Sequence, residues 1–145
     1  MAMSSTIDFE RLVQAAGDAI IAADPEGRIV SWNPAAERIF GFTAPEALGQ
    51  TLDLIIPERF RARHWDGYKQ VMRTGQTKYG AEVLRVPARH KDGRPLSISF
   101  TVALLSGADG QTEAIAAIVR DETSRWNEER SMRERLRKLE EQQSK

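Results

Sequence analysis

His64 is the residue whose type and neighbours in the sequence are best suited to chemistry. An imidazole can exchange a proton near neutral pH or bind a metal ion. At about 100° per residue, a helix over residues 57–73 places His64 on the same side as the large apolar residues of that segment. The other members of this arc, roughly 140° wide, are Phe60, Trp65, Tyr68, Val71 and Met72. The spacing predicts an imidazole that faces the interior among aromatic side chains.

The other chemistry-bearing residue types form no reactive arrangement in this sequence. There are 0 cysteines and 2 histidines, which excludes disulfides, thiolate metal sites and a histidine-rich metal centre. Neither glycine-rich phosphate loop, G-x-x-x-x-G-K-[ST] or G-x-G-x-x-G, occurs in the chain. No pair of carboxylates accompanies a nucleophile. We therefore expect a protein that is not an enzyme.

Two basic segments are expected to be solvated. His90 lies in the turn sequence Arg89-His90-Lys91-Asp92-Gly93, and the run from Arg59 to Arg63 begins the helix that carries His64. The chain has 21 basic and 21 acidic residues, so it lacks the net positive charge that is typical of nucleic-acid binders. We expect no nucleic-acid partner.

No segment of the sequence is expected to associate with a membrane. The segment from Met1 to Asp8 has no basic region followed by an apolar run, as a signal peptide would. No apolar stretch approaches the roughly 18–20 residues that a membrane span requires. The absence of cysteine is compatible with a reducing compartment. We expect a cytoplasmic location and no membrane partner.

Hydropathy patterns divide the chain into short helices and five strands. Apolar residues spaced as in a helix occur over 9–16, and the turn Pro25-Glu26-Gly27 separates two short strand-like runs. After the 57–73 helix the period changes to two, and the predicted strands there are 82–86, 96–104 and 112–119. The predicted fold class is α+β, with a five-stranded antiparallel sheet and helices on one face.

Composition separates three parts of the chain. We assign 1–17 to an N-terminal amphipathic cap helix, 18–121 to the folded domain and 122–145 to a C-terminal helix. The last part is rich in charged residues and glutamine and has neither glycine nor proline. Its apolar residues Met132, Leu136 and Leu139 have the spacing of a d–a–d coiled-coil seam. A solvated helical tail is the alternative interpretation.

The motifs at the joints between these elements, in this order and spacing, resemble those of a PAS domain, the sensory module of bacterial signalling proteins. The resemblance covers about residues 9–123. It rests on Asp24-Pro25-Glu26-Gly27-Arg28-Ile29, Asn33-Pro34-Ala35-Ala36, Ile56-Pro57-Glu58, Arg73-Thr74-Gly75 and Asp121-Glu122-Thr123. The last of these looks like the family's Asp-x-Thr junction to an outgoing signalling helix, with Glu122 in the middle position.

A second, local resemblance concerns the ligand. The segment Arg61-Ala62-Arg63-His64 is similar to one in the haem-binding PAS domains of rhizobial oxygen-sensor kinases. The resemblance implies that His64 would ligate the iron, and b-type haem needs a neutral imidazole facing an apolar cavity. The arginine that those sensors place on the next strand corresponds to Leu84 here, with Arg85 pointing to the opposite face. The cofactor is unknown at this stage, with haem b as one candidate.

Helical phase and strand alternation predict the lining of a cavity between the 57–73 helix and the sheet. The predicted lining residues are His64, Tyr68, Met72, Leu84, Ile98 and Phe100. Three occupants remain open: haem ligated by His64 as its metal ligand, an apolar metabolite without metal, or the protein's own side chains.

The function expected from the resemblance is that of a sensory module in a two-component or related signalling system. The module would bind a small ligand and relay its state through a dimeric C-terminal helix to an effector domain outside this chain. We expect a parallel homodimer through residues 7–16 and 122–145. A ligand-free module for dimerisation or protein–protein interaction is the alternative.

Overall fold

The computed structural model describes residues 6–77 and 82–144. Its strands and helices follow the order expected from the hydropathy pattern. Two 3-10 turns, Leu52–Leu54 and Glu58–Phe60, precede the longest helix of the domain. In chain order the elements are α1 (Phe9–Ala15), β1 (Ala19–Ala23), β2 (Ile29–Trp32), α2 (Pro34–Phe40), α3 (Ala44–Ala47), α4 (Arg61–Thr74), β3 (Leu84–Arg89), β4 (Pro95–Ser106), β5 (Thr112–Asp121) and α5 (Thr123–Gln143).

The strands form one five-stranded sheet in the order β2-β1-β5-β4-β3. Every neighbouring pair is antiparallel, and β3, β4 and β5 form a meander. The β4–β5 pair is the longest, and apolar and polar residues alternate in β4 from Leu96 to Val102. The predicted α+β fold with a five-stranded antiparallel sheet is confirmed.

Cross-strand register separates an inner from an outer face of the sheet. Leu84 lies opposite Phe100, and Phe100 lies opposite Val119, so these side chains share the inner face. The buried core forms on this face, with side chains from α2 and the segment after it completing the layer. Its largest members include Ile21, Ile29, Trp32, Phe40, Ile55, Leu96 and Ile98.

Strand β3 differs from its predicted position. The predicted range is 82–86, but the strand is Leu84–Arg89 and includes Pro87. Proline has no backbone N–H and is tolerated on an edge strand, where one side of the backbone needs no sheet partner. Strand β3 is such an edge, since it pairs only with β4. The predicted strand therefore began two residues and ended three residues before the observed one.

Asn33 connects the N-terminal helix to the sheet. This fully buried side chain accepts hydrogen bonds at Oδ1 from the backbone N–H groups of Ile20, at 2.9 Å, and Ala36, at 3.0 Å. Its Nδ2 donates to the carbonyl oxygens of Val13, at 2.8 Å, and Asp18, at 3.1 Å. Asn33 therefore caps α2 and is also the polar link between α1, β1 and α2.

The turn between β3 and β4 docks against the end of α2. The backbone N–H of Lys91 donates to the carbonyl of Phe40 at 2.9 Å, and the Lys91 ammonium binds the Glu46 carboxylate, which lowers the pKa of Glu46 to about 2. The His90 ring packs against Gly41, whose positive φ of 84° a side chain would rarely adopt. The prediction of a solvated His90 is wrong, because a polar turn sequence does not reveal the surface on which it docks.

Candidate functional site

Helix α4 presents the predicted face to the interior. Tyr68 is 7% exposed, and the other members of the apolar arc are half-buried. The side chains on the opposite face, Arg63, Asp66, Lys69, Gln70 and Arg73, are exposed. The helix ends at Gly75, which has a positive φ of 69°. The helical phase derived from the sequence is confirmed.

Polar contacts attach α4 to two turns of the domain. The Trp65 indole Nε1 donates to Oδ1 of Asp53 at 2.7 Å, and the Trp65 ring lies directly against Gly27 in the β1–β2 turn. One turn further along α4, the Tyr68 hydroxyl donates to the carbonyl of Asp24 at the end of β1. These three contacts hold α4 against the β1–β2 turn and the 3-10 turn Leu52–Leu54.

Arg61 makes a further attachment that the sequence analysis did not foresee. Its Nε donates to the carbonyl of Ile56 at 3.0 Å, and one terminal nitrogen donates to the carbonyl of Asp53 at 3.2 Å. Arg59 and Arg63 are exposed as predicted. The basic run is therefore solvated except at Arg61, which fixes the start of α4.

Apolar packing between α4 and the strands is sparse. The buried core cluster contains no residue of α4 among the described residues, and α4 has its closest backbone neighbours in the 3-10 turn that precedes it. On the inner face of the sheet, several large side chains of β3 to β5 are only half-buried. These are Leu84, Phe100, Val102, Leu104 and Ile115. This part of the inner face is incompletely covered by the described chain.

The predicted lining residues therefore fall into three environments. His64 and Met72 are half-buried on α4, and Tyr68 is buried there with its hydroxyl bonded to Asp24. Leu84 and Phe100 lie opposite each other on β3 and β4 and are half-buried. Ile98 is buried in the main core. The pocket itself stays a prediction.

His64 is surrounded by aromatic rings and has a buried nitrogen without a partner. Its ring centroid lies 4.7 Å from that of Trp65 and 5.7 Å from that of Tyr68. The Nδ1 atom is buried and makes no hydrogen bond in the described part of the chain. Burial lowers the pKa of His64 below its usual value, and the Asp53 carboxylate opposes this effect. The imidazole is therefore neutral at pH 7.

The lowered pKa of His64 predicts a loss of stability in mild acid. The unfolded chain takes up a proton near pH 6.5, whereas the folded chain resists protonation at His64. The neutral His64 therefore causes no loss of stability above the pKa that it has in the unfolded chain. Below that pH the free energy of unfolding decreases, until the pH reaches the lower pKa of His64 in the folded chain. We expect the urea midpoint to decrease between about pH 7.5 and 5.5 more in the wild type than in His64→Gln. Equal decreases in both proteins would contradict the shift.

The described residues do not fit haem, the group that the local resemblance implies. A ligating histidine almost always donates its other ring N–H to an acceptor, but Nδ1 of His64 has no partner. Haem carboxylates also need cationic or hydrogen-bonding partners when they are shielded from water. No lysine or arginine lies on the inner face of β3 to β5 in the described part, since Leu84 faces inward and Arg85 outward.

Strand β5 leads directly into α5 through a set of polar contacts. The hydroxyl of Thr123 accepts from the backbone N–H of Ser97 at 3.0 Å, and the Ser99 hydroxyl donates to the Glu122 carboxylate at 3.3 Å. Beside this junction, Arg120 forms a bidentate ion pair with Asp18. The start of α5 is thereby attached to β4, and the end of β5 to the start of β1.

The apolar residues of α5 point away from the domain. Met132, Leu136 and Leu139 are 63%, 58% and 56% exposed. Trp126 lies about 80° to 140° from these three residues around the helix, and the Arg130 guanidinium covers its ring at 5.4 Å from the centroid. The predicted seam is thus a continuous exposed stripe on a helix of 21 residues.

Three residues of the site were missed in the sequence analysis. Asp53 accepts the Trp65 indole, Asp24 accepts the Tyr68 hydroxyl, and Gly27 provides the surface on which Trp65 lies. Gly27 and Asp24 appeared only as turn residues. Their pairing with α4 depends on how two distant segments pack, and the sequence carries no local signal of it.

Comparison with known proteins identifies the family. The family model described as the PAS fold matches residues 7–121. The chain belongs to the PAS family. The crystal structure of a PAS domain from Colwellia psychrerythraea superposes with a TM-score of 0.70 at 22% identity, covering 80% of this chain and 95% of that one. The predicted resemblance to PAS domains is confirmed.

Relatives of this PAS domain occur within sensor proteins. The sensor protein FixL of Bradyrhizobium diazoefficiens is 32% identical over 107 residues, 73% of this chain and 21% of the relative. The oxygen sensor protein DosP of Escherichia coli is 27% identical over 93 residues, 64% of this chain and 11% of the relative. The chain therefore spans about a fifth or less of each. It is a PAS sensory domain of the kind found in signalling proteins.

Among the described residues, no helix is both long and apolar enough to cross a bilayer.

Proposed function

We propose that this PAS domain binds a small ligand between α4 and the sheet and relays the ligand's presence through α5 of a homodimer. The observation that carries the proposal is the incompletely covered inner face of β3 to β5, combined with the attachment of α4 by polar contacts. A helix with little apolar packing can shift at low energetic cost, which a sensor requires. The domain has no catalytic role in this proposal.

The contacts of α4 support a route from the ligand site to the signalling helix. Tyr68 binds the end of β1 at Asp24, and β1 pairs with β5 along its whole length, from Ala23 opposite Ile115 to Ala19 opposite Val119. Strand β5 continues into α5 at Thr123. A ligand that repositions α4 would therefore act on β1 and, through the ladder, on the base of α5.

The dimer is proposed to form along the seam of α5. Exposed apolar side chains at d–a–d spacing are typical of a coiled-coil interface, and a helix of this composition gains much of its stability from such packing. The ion pairs Arg125–Glu129 and Arg130–Glu134 lie within one helix and leave the seam accessible. A second copy in parallel orientation would bring the seams together and place both α5 helices in the direction of an effector domain.

Cysteine cross-linking tests this arrangement, since the wild-type chain contains no cysteine. In a parallel coiled coil, Leu136→Cys brings two thiols together across the seam, and we expect a disulfide-linked dimer under mild oxidation. Glu134→Cys is the matched control, because residue 134 lies on the opposite side of α5. Equal cross-linking of both variants, or none of the Leu136→Cys variant while the protein is folded, would contradict the dimer.

A ligand-free dimerisation module is the second candidate. It is favoured by the exposure of Phe9 and Leu12 on α1, at 72% and 56%, which adds a second apolar surface to that of α5. Under this alternative, the half-buried residues of the inner face hold no ligand. Binding of a small apolar probe next to α4 distinguishes the two candidates.

A further inference from the structure

We infer that the ligand of this domain is an uncharged, largely apolar molecule with at most one group that hydrogen-bonds to the protein. This inference rests on the proposed ligand site and adds the chemical class of its occupant. It comes from the residues of the two walls, the inner side of α4 and the inner face of β3 to β5.

The sheet wall consists of hydrocarbon and aromatic side chains. Its half-buried members are Leu84, Phe100, Val102, Leu104 and Ile115. Arg85, the nearest cation in the sequence, projects to the outer face, because Leu84 and Phe100 are paired on the inner one. Burying a carboxylate or phosphate against such a wall would be costly, since no opposite charge would compensate for the lost hydration.

The inner side of α4 also offers few free polar groups to a ligand. The hydroxyl of Tyr68 already donates to Asp24, and the indole N–H of Trp65 already donates to Asp53. Arg61, the cation one turn before His64, is engaged with the carbonyls of Ile56 and Asp53. The remaining polar group on the inner side of α4 is the neutral imidazole of His64, which can form one hydrogen bond with an uncharged ligand.

Two fluorophores with the same aromatic skeleton test the inferred class. N-phenylnaphthylamine is neutral, and anilinonaphthalene sulfonate is the same molecule with one added sulfonate. We expect saturable binding of the neutral probe that is at least about tenfold tighter than binding of the sulfonate. Emission of each probe is titrated with the purified full chain at a pH where His64 is neutral.

Adding a cation to the walls should reverse this preference. Leu84→Arg places a guanidinium on the sheet wall, and Met72→Lys places an ammonium on the α4 wall. Because the two variants test the same point from opposite walls, the test needs only one of them to fold. Each is expected to weaken binding of the neutral probe and strengthen binding of the sulfonate by about tenfold. The matched control is Pro87→Arg, which adds the same charge on the exposed outer side of β3 and should change neither affinity.

The outcomes separate this inference from the proposed function. Sulfonate binding as tight as neutral-probe binding in the wild type would overturn the ligand class and leave the pocket intact. Haemin binding with an intense Soret band that His64→Ala abolishes would also overturn the ligand class and leave the pocket intact. A folded protein that binds neither fluorophore would overturn both the class and the pocket. A preference for the neutral probe that is reversed in either cation variant and kept in Pro87→Arg supports the inference.

Discussion

Replacing Asn33 with alanine is expected to lower the free energy of unfolding by about 3–5 kcal/mol. The substitution leaves the backbone N–H groups of Ile20 and Ala36 and the carbonyls of Val13 and Asp18 without their side-chain partner. The site is fully buried, so water does not readily replace the lost bonds, and each unsatisfied buried group costs about 1–3 kcal/mol. Urea unfolding followed by circular dichroism measures the change.

Thr43→Ala provides the matched control, since Thr43 is also a helix cap. Its hydroxyl accepts from the backbone N–H of Glu46 at 3.3 Å in an exposed capping box. Loss of an exposed cap of this kind costs about 1 kcal/mol. If Asn33→Ala cost no more than Thr43→Ala, the four buried hydrogen bonds would have no special importance for the fold.

Asn33→Ala should also release α1 from the domain. Val13 is the only residue of α1 bonded by the Asn33 side chain, and α1 has no buried residue of its own. Hydrogen exchange in 9–15 is therefore expected to accelerate under conditions where β4 and β5 remain protected. Unchanged exchange in α1 would show that other contacts hold it.

Those elements that depend on local periodicity were predictable from the sequence. The inner face of α4 followed from the spacing of His64, Tyr68 and Met72, because the helical period fixes which side chains share a side. Strand β4 followed from the alternation of apolar and polar residues between Leu96 and Leu104. In each case the signal lies within about fifteen residues, where backbone geometry alone relates the positions.

Contacts between distant segments were not predictable. Trp65 against Gly27 and His90 against Gly41 each join a bulky ring to a glycine far away in the chain. A glycine in a turn is equally well explained by its backbone conformation, so the sequence gives no reason to assign it a packing partner. The same limit applies to Asp53, whose role as an acceptor for Trp65 depends on the docking of α4.

Gly27→Ala is expected to undock α4 and to destabilise the protein by about 2–4 kcal/mol. Gly27 has a φ of +83°, and a Cβ atom there would lie 2.2 Å from two ring carbons of Trp65. The ring would have to move, which would break its hydrogen bond to Asp53. A Trp126→Phe background removes the exposed tryptophan and leaves Trp32 and Trp65. The combined emission should shift to longer wavelength as the Trp65 ring gains contact with water, because Trp32 is 4% exposed and remains in the core.

Gly49→Ala separates the contribution of the contact from that of the backbone. Gly49 has nearly the same φ, +86°, but has open space where the Cβ would lie. Its replacement should cost about 1 kcal/mol for the left-handed conformation alone and leave the Trp65 emission unchanged. The difference between the two variants therefore measures the docking of α4, which the proposed signalling route requires. Equal destabilisation with no change in Trp65 emission would mean that the contact with Gly27 does not hold α4 in place.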